Sequence, residues 1–260
     1  MDLSERQQDI LKLLRADGRV EVDRLADRFA VSSQTIRRDL AEICDRGLAA
    51  RTHGGARQLA TVSNREYTAR RLARLPQKEA MGQLAAGLIP DHHSVCLNIG
   101  TTTEQVARAL GGHTGLVVIS NNINIITQLM GSKAKELILV GGAVRPSDGA
   151  IVGEDAVEFI ARYKVDFAVI GASALDADGA ILDFDAREVS VARAVLRNAR
   201  CRICVADGSK FAHSAPVRIC DVADLDYFIT DECPPDSFRA AARRANTQIL
   251  TLEEHNDRAR

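Results

Sequence analysis

Short runs rich in Val and Ile alternate with helical patterns along most of the chain, and this alternation constrains the fold more than any other feature. The apolar runs fall at residues 94–99, 116–120, 136–140, 166–170, 201–206 and 227–230, and the helical patterns at residues 102–110, 123–130, 155–163, 187–198 and 236–245. Such alternation is typical of a largely parallel sheet covered by helices. The sequence therefore predicts an α/β fold for this part of the chain.

A phosphate-binding loop is predicted where the first of these strands ends. Gly100 follows the strand directly, and Thr101 and Glu104 have the spacing of a helix cap. Ligands of open parallel sheets collect beyond the carboxyl ends of the strands. Glycine lets the backbone come close, while the helix amides and the hydroxyls of Thr101, Thr102 and Thr103 can donate to phosphate. An ordinary capped turn is the alternative interpretation.

Polar residues also follow other predicted strands. Asn121 comes directly after one strand, and the cations Arg145 and Lys210 follow two more, close to glycines. An anionic ligand requires such cations, although Arg145 and Lys210 could instead pair with local carboxylates such as Asp148 or Asp207.

Residues 32–40 predict a helix with two opposite faces. Ser32 is a suitable N-cap. The apolar positions are Ile36, Leu40 and Ile43, and the polar positions on the other side are Gln34, Arg37 and Arg38. Arg can bond guanine and Gln can bond adenine in the major groove, and both can hold phosphate. The alternative is a solvated helix face without a partner.

The neighbouring segments favour DNA binding. A helix from about residue 23 to residue 30 precedes a very short turn, which predicts a helix-turn-helix. Residues 47–59, with a Gly54-Gly55 turn, predict a hairpin that forms a wing. Arg51 and His53 on this wing can reach phosphate or a minor groove, and turn geometry alone is the alternative role of His53.

Charge is distributed unevenly along the chain. Residues 1–78 hold 16 Lys and Arg against 11 Asp and Glu, whereas residues 79–260 hold 18 against 24. The basic first part is the one expected to meet a polyanion. The six cysteines form no disulfide framework, so we expect reduced thiols. Cys201-Arg202-Ile203-Cys204 has the C-x-x-C form, and a metal or redox role is its alternative interpretation, but it lacks a second ligand pair, so we expect no metal and no cofactor. The sequence also contains no apolar stretch long enough to span a membrane, and we expect a cytoplasmic protein.

Three linked motifs resemble those of the DeoR family of bacterial transcriptional regulators. They are Arg6-x-x-x-Ile10-x-x-x-Leu14, Ser32-x-x-Thr35-Ile36-Arg37-Arg38-Asp39-Leu40 and Arg51-Thr52-His53-Gly54-Gly55-Ala56. The resemblance implies a dimeric or tetrameric repressor that binds double-stranded operator DNA. The residues expected to contact DNA are Ser33, Gln34, Thr35, Arg37, Arg38, Arg51 and His53.

The carboxy-terminal part resembles the sensor domain of the same family, whose fold is similar to ribose-phosphate isomerases. Residues 179–189 and 205–211 look most like the branch that controls glycerol-3-phosphate metabolism, although Ala186 and Gly208 depart from its usual pattern. The implied effector is glycerol-3-phosphate or a related sugar phosphate. The residues expected to bind it are Gly100, Thr101, Thr102, Thr103, Asn121, Arg145, Asp176, Glu188 and Lys210.

An isomerase-like enzyme is the alternative function. Asp176 and Glu188 fall roughly where the isomerase pattern has its carboxylates, but no Lys lies between them as that pattern requires. Binding is therefore favoured over turnover, and effector-assisted DNA binding stays open as the opposite sign of regulation. The predicted organisation is a winged helix-turn-helix domain at residues 1–59, a linker with some helix at 60–77, a sensor domain at 78–252 and a tail at 253–260.

Overall fold

The computed structural model describes residues 3–17, 19–46, 48–52, 54–58 and 67–253, which form two compact units. The amino-terminal unit contains the described residues up to residue 58 together with Ser209–Ser214. The α/β unit contains residues 67–208 and 215–253. None of the described helices combines the length and the apolar character that crossing a bilayer requires.

The amino-terminal unit is a three-helix bundle edged by a small sheet. Its helices are α1 (Glu5–Asp17), α2 (Val22–Phe29) and α3 (Ser33–Asp45), and its strands are β1 (Arg19–Glu21), β2 (Ala49–Thr52) and β3 (Gly55–Gln58). The strands pair antiparallel in the order β1-β3-β2. Ile10, Leu14, Leu25, Ile36 and Ile43 belong to one buried cluster from all three helices. This is the predicted winged helix-turn-helix.

The α/β unit is built on a seven-stranded sheet in which every pair is parallel. The strands are β4 (Ser94–Leu97), β5 (Val117–Ser120), β6 (Glu136–Leu139), β7 (Val165–Gly171), β10 (Ala199–Val205), β12 (Tyr227–Thr230) and β13 (Gln248–Thr251). They follow the order β13-β12-β10-β7-β4-β5-β6. The six apolar runs form six strands of this sheet, as predicted, and β13 is a seventh strand at one edge.

A second, antiparallel sheet was not predicted. Its strands are β8 (Ala174–Leu175), β9 (Ala180–Asp183) and β11 (Val217–Asp221), in the order β11-β9-β8. These strands are short, and β8 and β9 form a hairpin directly after β7. The sequence therefore contains no separate apolar run from which they could be predicted.

The helices of the α/β unit cover the parallel sheet. They are α4 (Tyr67–Leu72), α5 (Leu75–Ala86), α6 (Thr103–Leu110), α7 (Ile123–Leu129), α8 (Glu154–Ile160), α9 (Ala186–Arg197) and α10 (Asp236–Arg244). Met81 of α5 and Val106 of α6 are buried in one core cluster with Leu97 and Val169 of the sheet. The helix α5 was not predicted, and α4 lies within residues 60–77, where a linker with some helix was expected.

Candidate functional site

The helix α3 presents two opposite faces, as its sequence predicts. The Ser32 hydroxyl accepts a hydrogen bond from the Thr35 amide at 3.2 Å and so caps the helix. Ile36, Leu40 and Ile43 are buried, whereas Gln34, Arg37 and Arg38 are exposed. Within the described residues, neither Arg37 nor Arg38 forms a salt bridge, so both guanidinium groups are available to a partner.

Asp39 anchors this helix to the first one. Its carboxylate is buried and accepts from Arg6 Nε at 2.6 Å and from Gln7 Nε2 at 3.5 Å. Gln7 also donates to Glu42 at 2.8 Å. These bonds fix the orientation of α3 on α1, which explains why a carboxylate occurs within a helix whose outer face is basic.

The other residues expected to contact DNA have different surroundings. The Ser33 hydroxyl donates to Asp23 on α2 at 3.2 Å, and the Thr35 hydroxyl lies 2.9 Å from the Ser32 hydroxyl, so both take part in the turn between the helices. Arg51 is exposed in β2. His53 lies outside the described residues.

The predicted phosphate loop forms the junction between β4 and α6. Gly100 has a φ of +142°, and the Thr103 hydroxyl donates to its carbonyl at 2.8 Å. Residues that carry a side chain rarely adopt this backbone angle, so the turn requires glycine. Among the described residues, none accepts a hydrogen bond from the amides of Thr101, Thr102 or Thr103. Residues 100–103, here called the cradle, therefore offer unused donors at a helix amino terminus.

Lys78 is a site residue that the sequence did not reveal. It lies in α5, only 3% of it is exposed, and its ammonium group is 3.0 Å from the Thr101 hydroxyl. It also donates to the main-chain oxygen of Arg70 at 2.5 Å. A buried ammonium group beside the cradle supplies positive charge where a phosphate would lie. Lys78 and Thr101 are 23 positions apart in the sequence, so no local pattern predicts the contact.

Two asparagines at adjacent strand ends carry unused acceptors. The side-chain oxygens of Asn98 and Asn121 are buried and have no hydrogen-bond partner within the described part of the chain. Asn121 Nδ2 donates to the Ile151 carbonyl at 3.0 Å, and Asn122 Nδ2 donates to the Asp148 carbonyl at 3.0 Å. These bonds hold the loop that follows β6 against the end of β5. The two free oxygens can accept from ligand hydroxyls.

Arg145, on that loop, lies among carboxylates. It forms two hydrogen bonds with Asp148, at 2.8 and 2.6 Å, and an ion pair with Glu188 at 2.5 Å. Asp185 lies 3.6 Å away. Burial and the nearby charge of Asp183 raise the pKa of Glu188 to about 7. Arg145 thus pairs with Asp148, which is the alternative to a ligand role that the sequence left open, and it contacts Glu188 as well.

Asp176 and Lys210 are the two remaining predicted residues. Asp176 is exposed in the turn between β8 and β9, where its carbonyl accepts from the Gly179 amide at 3.1 Å. Asp183, at the opposite end of β9, is the carboxylate that interacts with Glu188. Lys210 lies in the short 3-10 helix Gly208–Ala212, and Ser209–Ser214 group with the amino-terminal unit. The structure therefore brings together the cradle, Asn121, Arg145 and Glu188 at the carboxyl edge of the sheet, without Asp176.

Fold and sequence together define the class of winged-helix transcriptional regulators that carry a second, α/β unit. The model of the DeoR-like helix-turn-helix domain matches residues 6–62, and that of the DeoR C terminal sensor domain matches residues 74–232. This chain belongs to the DeoR family.

Relatives with known names are similar over nearly the whole chain. The glycerol-3-phosphate regulon repressor of Escherichia coli (strain K12) is 37% identical, with 91% of this chain and 94% of that protein covered. The glycerol-3-phosphate regulon repressor of Haemophilus influenzae is 40% identical, with 90% and 91% covered. Among solved structures, ribose 5 phosphate isomerase A from Neisseria gonorrhoeae is 14% identical, with 53% of each chain covered and a TM-score of 0.37. A likeness at that level adds nothing about function.

Proposed function

We propose that this protein is a transcriptional repressor that binds operator DNA through α3 and is released by a small phosphorylated metabolite. The observation that supports DNA binding is the exposed face of α3 with Gln34, Arg37 and Arg38. It lies opposite the buried face with Ile36, Leu40 and Ile43. Two relatives that are named repressors and share more than a third of the residues support the direction of regulation. Ser33, Thr35, Arg51 and His53 complete the proposed contact set.

The repressor is proposed to act as a homo-oligomer, dimer or tetramer. Two recognition helices then enter successive major grooves of one operator. Because Lys and Arg contacts to phosphate dominate such binding, the affinity should fall steeply with salt concentration. The proposed division is a DNA-binding domain at residues 1–59 and a sensor domain from residue 78, and the contacts of Tyr67 and Arg70 with the α/β unit favour an earlier start of the sensor domain.

Glycerol-3-phosphate is the proposed effector, and a related sugar phosphate is the alternative. Its phosphate would accept from the amides of residues 101–103 and from Lys78, with Lys210 as a further cation proposed from its place after a strand. Its hydroxyls would bond Asn121 and the carboxylates around Arg145. Asp176 stays a prediction from the sequence alone.

Binding without turnover is the proposed role of the α/β unit. Isomerisation of a sugar phosphate needs acids and a base placed together around the carbonyl carbon. The exposed turn that holds Asp176 is separated from Glu188 by the length of β9, and no Lys lies between these residues in the sequence.

Fluorescence anisotropy on DNA from upstream of the protein's own gene and of glycerol-catabolic genes tests the proposal. We expect salt-sensitive binding that glycerol-3-phosphate reverses and free glycerol does not. A tenfold loss of DNA affinity corresponds to about 1.4 kcal/mol of coupling. Release by a different sugar phosphate would change the effector but keep the repressor, and tighter DNA binding with effector would reverse the sign.

Two variants separate the proposed sites. Arg37→Ala should abolish DNA binding and leave effector binding intact, while Arg244→Ala, an exposed arginine of α10, serves as the charge-matched control. Loss of both activities in Arg37→Ala would mean that Arg37 is a structural residue. Lys210→Ala should retain DNA binding and blunt the response to effector, and an unchanged response would remove Lys210 from the site.

A further inference from the structure

The short helix α4 is fastened to the loops around the cradle by side-chain hydrogen bonds. The Tyr67 hydroxyl donates to Glu104 Oε1 at 2.5 Å and accepts from Asn124 Nδ2 at 3.0 Å. One turn further on, the main-chain oxygen of Arg70 accepts from Lys78 at 2.5 Å. Glu104 and Asn124 lie in the first turns of α6 and α7, so Tyr67 ties α4 to the helices that begin at two adjacent strand ends.

These few bonds decide whether α4 stays docked. The helix has six residues, none of them buried, and its last residue, Leu72, is 69% exposed. A helix this short is not stable by itself in water. Arg74 follows with a left-handed φ of +53° and pairs with Asp231 at 2.5 Å. An element held by polar contacts and little apolar burial belongs to the least stable parts of a fold.

A phosphate in the cradle would compete for one of these contacts. The Lys78 ammonium group donates to both the Thr101 hydroxyl and the Arg70 carbonyl. Charged phosphate oxygens accept stronger hydrogen bonds than a main-chain carbonyl does. Occupancy of the cradle therefore draws Lys78 away from α4.

The same phosphate would weaken the bond to Glu104. Glu104 directly follows Thr103, is completely buried, and has one oxygen, Oε2, with no hydrogen-bond partner within the described part of the chain. Among the residues that the structure describes, the nearest cation to that oxygen is Arg71, at 3.9 Å. Burial raises the pKa of Glu104, and a nearby phosphate dianion favours its neutral form further. A neutral carboxyl group is a weaker acceptor for the Tyr67 hydroxyl.

We propose that the two hydrogen bonds of Tyr67, here called the Tyr67 latch, transmit occupancy of the cradle to the DNA-binding unit. The latch is closed when the cradle is empty and opens when the effector binds. This inference rests on the proposed function and adds the means of coupling. In chain order, α4 is the first described element after the wing. The docking of α4 therefore fixes the point from which the chain connects the α/β unit to the DNA-binding unit. Tyr67 acts through Glu104 and Asn124 and is a positioning residue.

Tyr67→Phe in the full-length protein tests the latch, because it removes the hydroxyl and keeps the ring. Without effector, we expect DNA affinity to fall several-fold to about tenfold, since the hydroxyl that bonds Glu104 and Asn124 is lost. Effector affinity should rise by a similar factor, because linkage requires that the undocked state favoured by the effector is now more populated. Tyr163→Phe is the control, since within the described residues the Tyr163 hydroxyl makes no hydrogen bond.

The opposite signs of the two changes distinguish a latch from a merely structural tyrosine. Hydrogen exchange of peptides covering α4 should accelerate when glycerol-3-phosphate is added to the wild-type protein, and Tyr67→Phe should show the fast exchange without ligand. Weakening of both affinities, or behaviour like Tyr163→Phe, would overturn the latch. Wild-type protein is titrated first, and its failure to bind DNA or effector would overturn the proposed function itself.

Discussion

At Gly82 the helix α5 packs directly against the backbone of α6, the helix that follows the cradle. A Cβ at this position would lie 2.7 Å from the main-chain carbon and oxygen of Gln105 and 3.0 Å from the Val106 nitrogen. Ordinary contacts begin at 3.4 Å, so Gly82→Ala must push α6 away by about 0.7 Å. The obstructing atoms are backbone and cannot rotate aside. Overpacking costs about 1–3 kcal/mol, and the better helix propensity of Ala offsets roughly 0.5–1 kcal/mol.

The expected result is a net loss of about 1–2 kcal/mol in the free energy of unfolding, measured by urea denaturation followed by circular dichroism. Gly87→Ala is the matched control, because its Cβ would meet its nearest neighbours at 3.5 and 3.6 Å. Since Gln105 follows Thr103 by two residues, moving α6 also moves the cradle. Effector affinity should therefore fall in Gly82→Ala only. Equal stabilities of the two variants would refute the reasoning from close helix packing.

Three further perturbations probe the two sites. In the folded protein the pKa of Glu188 is about 7, above the unfolded value of 4.5, so its contribution to stability is present below pH 4.5 and is lost as pH rises through 7. Glu188→Gln should show a smaller drop in urea midpoint between pH 5 and pH 8, and an unchanged drop would exclude Glu188 as its source. Ile36→Ala should cost about 2–5 kcal/mol in thermal denaturation of the amino-terminal unit, whereas exposed Gln34→Ala should change stability by less than about 0.5 kcal/mol. Lys78→Met should weaken effector binding at least about tenfold in calorimetry, exposed Lys133→Met should not, and equal affinities would remove Lys78 from the site.

The main sheet could be predicted because buried parallel strands need apolar residues on both faces. That requirement produces short apolar runs, such as Val95-Cys96-Leu97 in β4 and Phe167-Ala168-Val169-Ile170 in β7. The antiparallel strands β8, β9 and β11 escaped prediction for a related reason. They are two to five residues long, and the register that pairs Leu182 with both Ala174 and Arg218 arises only after the hairpin has folded.

The helix α5 escaped prediction because its buried face breaks the usual apolar pattern. That face includes Lys78 and Gly82 beside Met81 and Ala85. In a sequence, a lysine normally indicates an exposed position, and a glycine lowers the predicted helix propensity. Both exceptions have tertiary causes, namely the Thr101 hydroxyl and the Gln105 backbone, which lie more than twenty residues away in the sequence. The turn at residues 100–103 was predictable because its glycine and threonines are contiguous, and phosphate binding there stays a prediction.

At the carboxyl edge of the sheet, the charges near the cradle differ from those around Arg145. This difference restricts where the proposed ligand can carry its phosphate. The cradle offers amide donors and the Lys78 ammonium group. Across the Asn121–Ile151 bonds, the Arg145 guanidinium faces the carboxylates of Asp148, Asp185 and Glu188. Arg187 also pairs with Asp185, and Asp183 adds a fourth carboxylate beside Glu188. A second phosphate placed there would meet like charges, whereas hydroxyl groups can donate to those carboxylates. The arrangement therefore favours a ligand with one terminal phosphate and hydroxyls at its other end, which is the chemistry of glycerol-3-phosphate and not that of a bisphosphate.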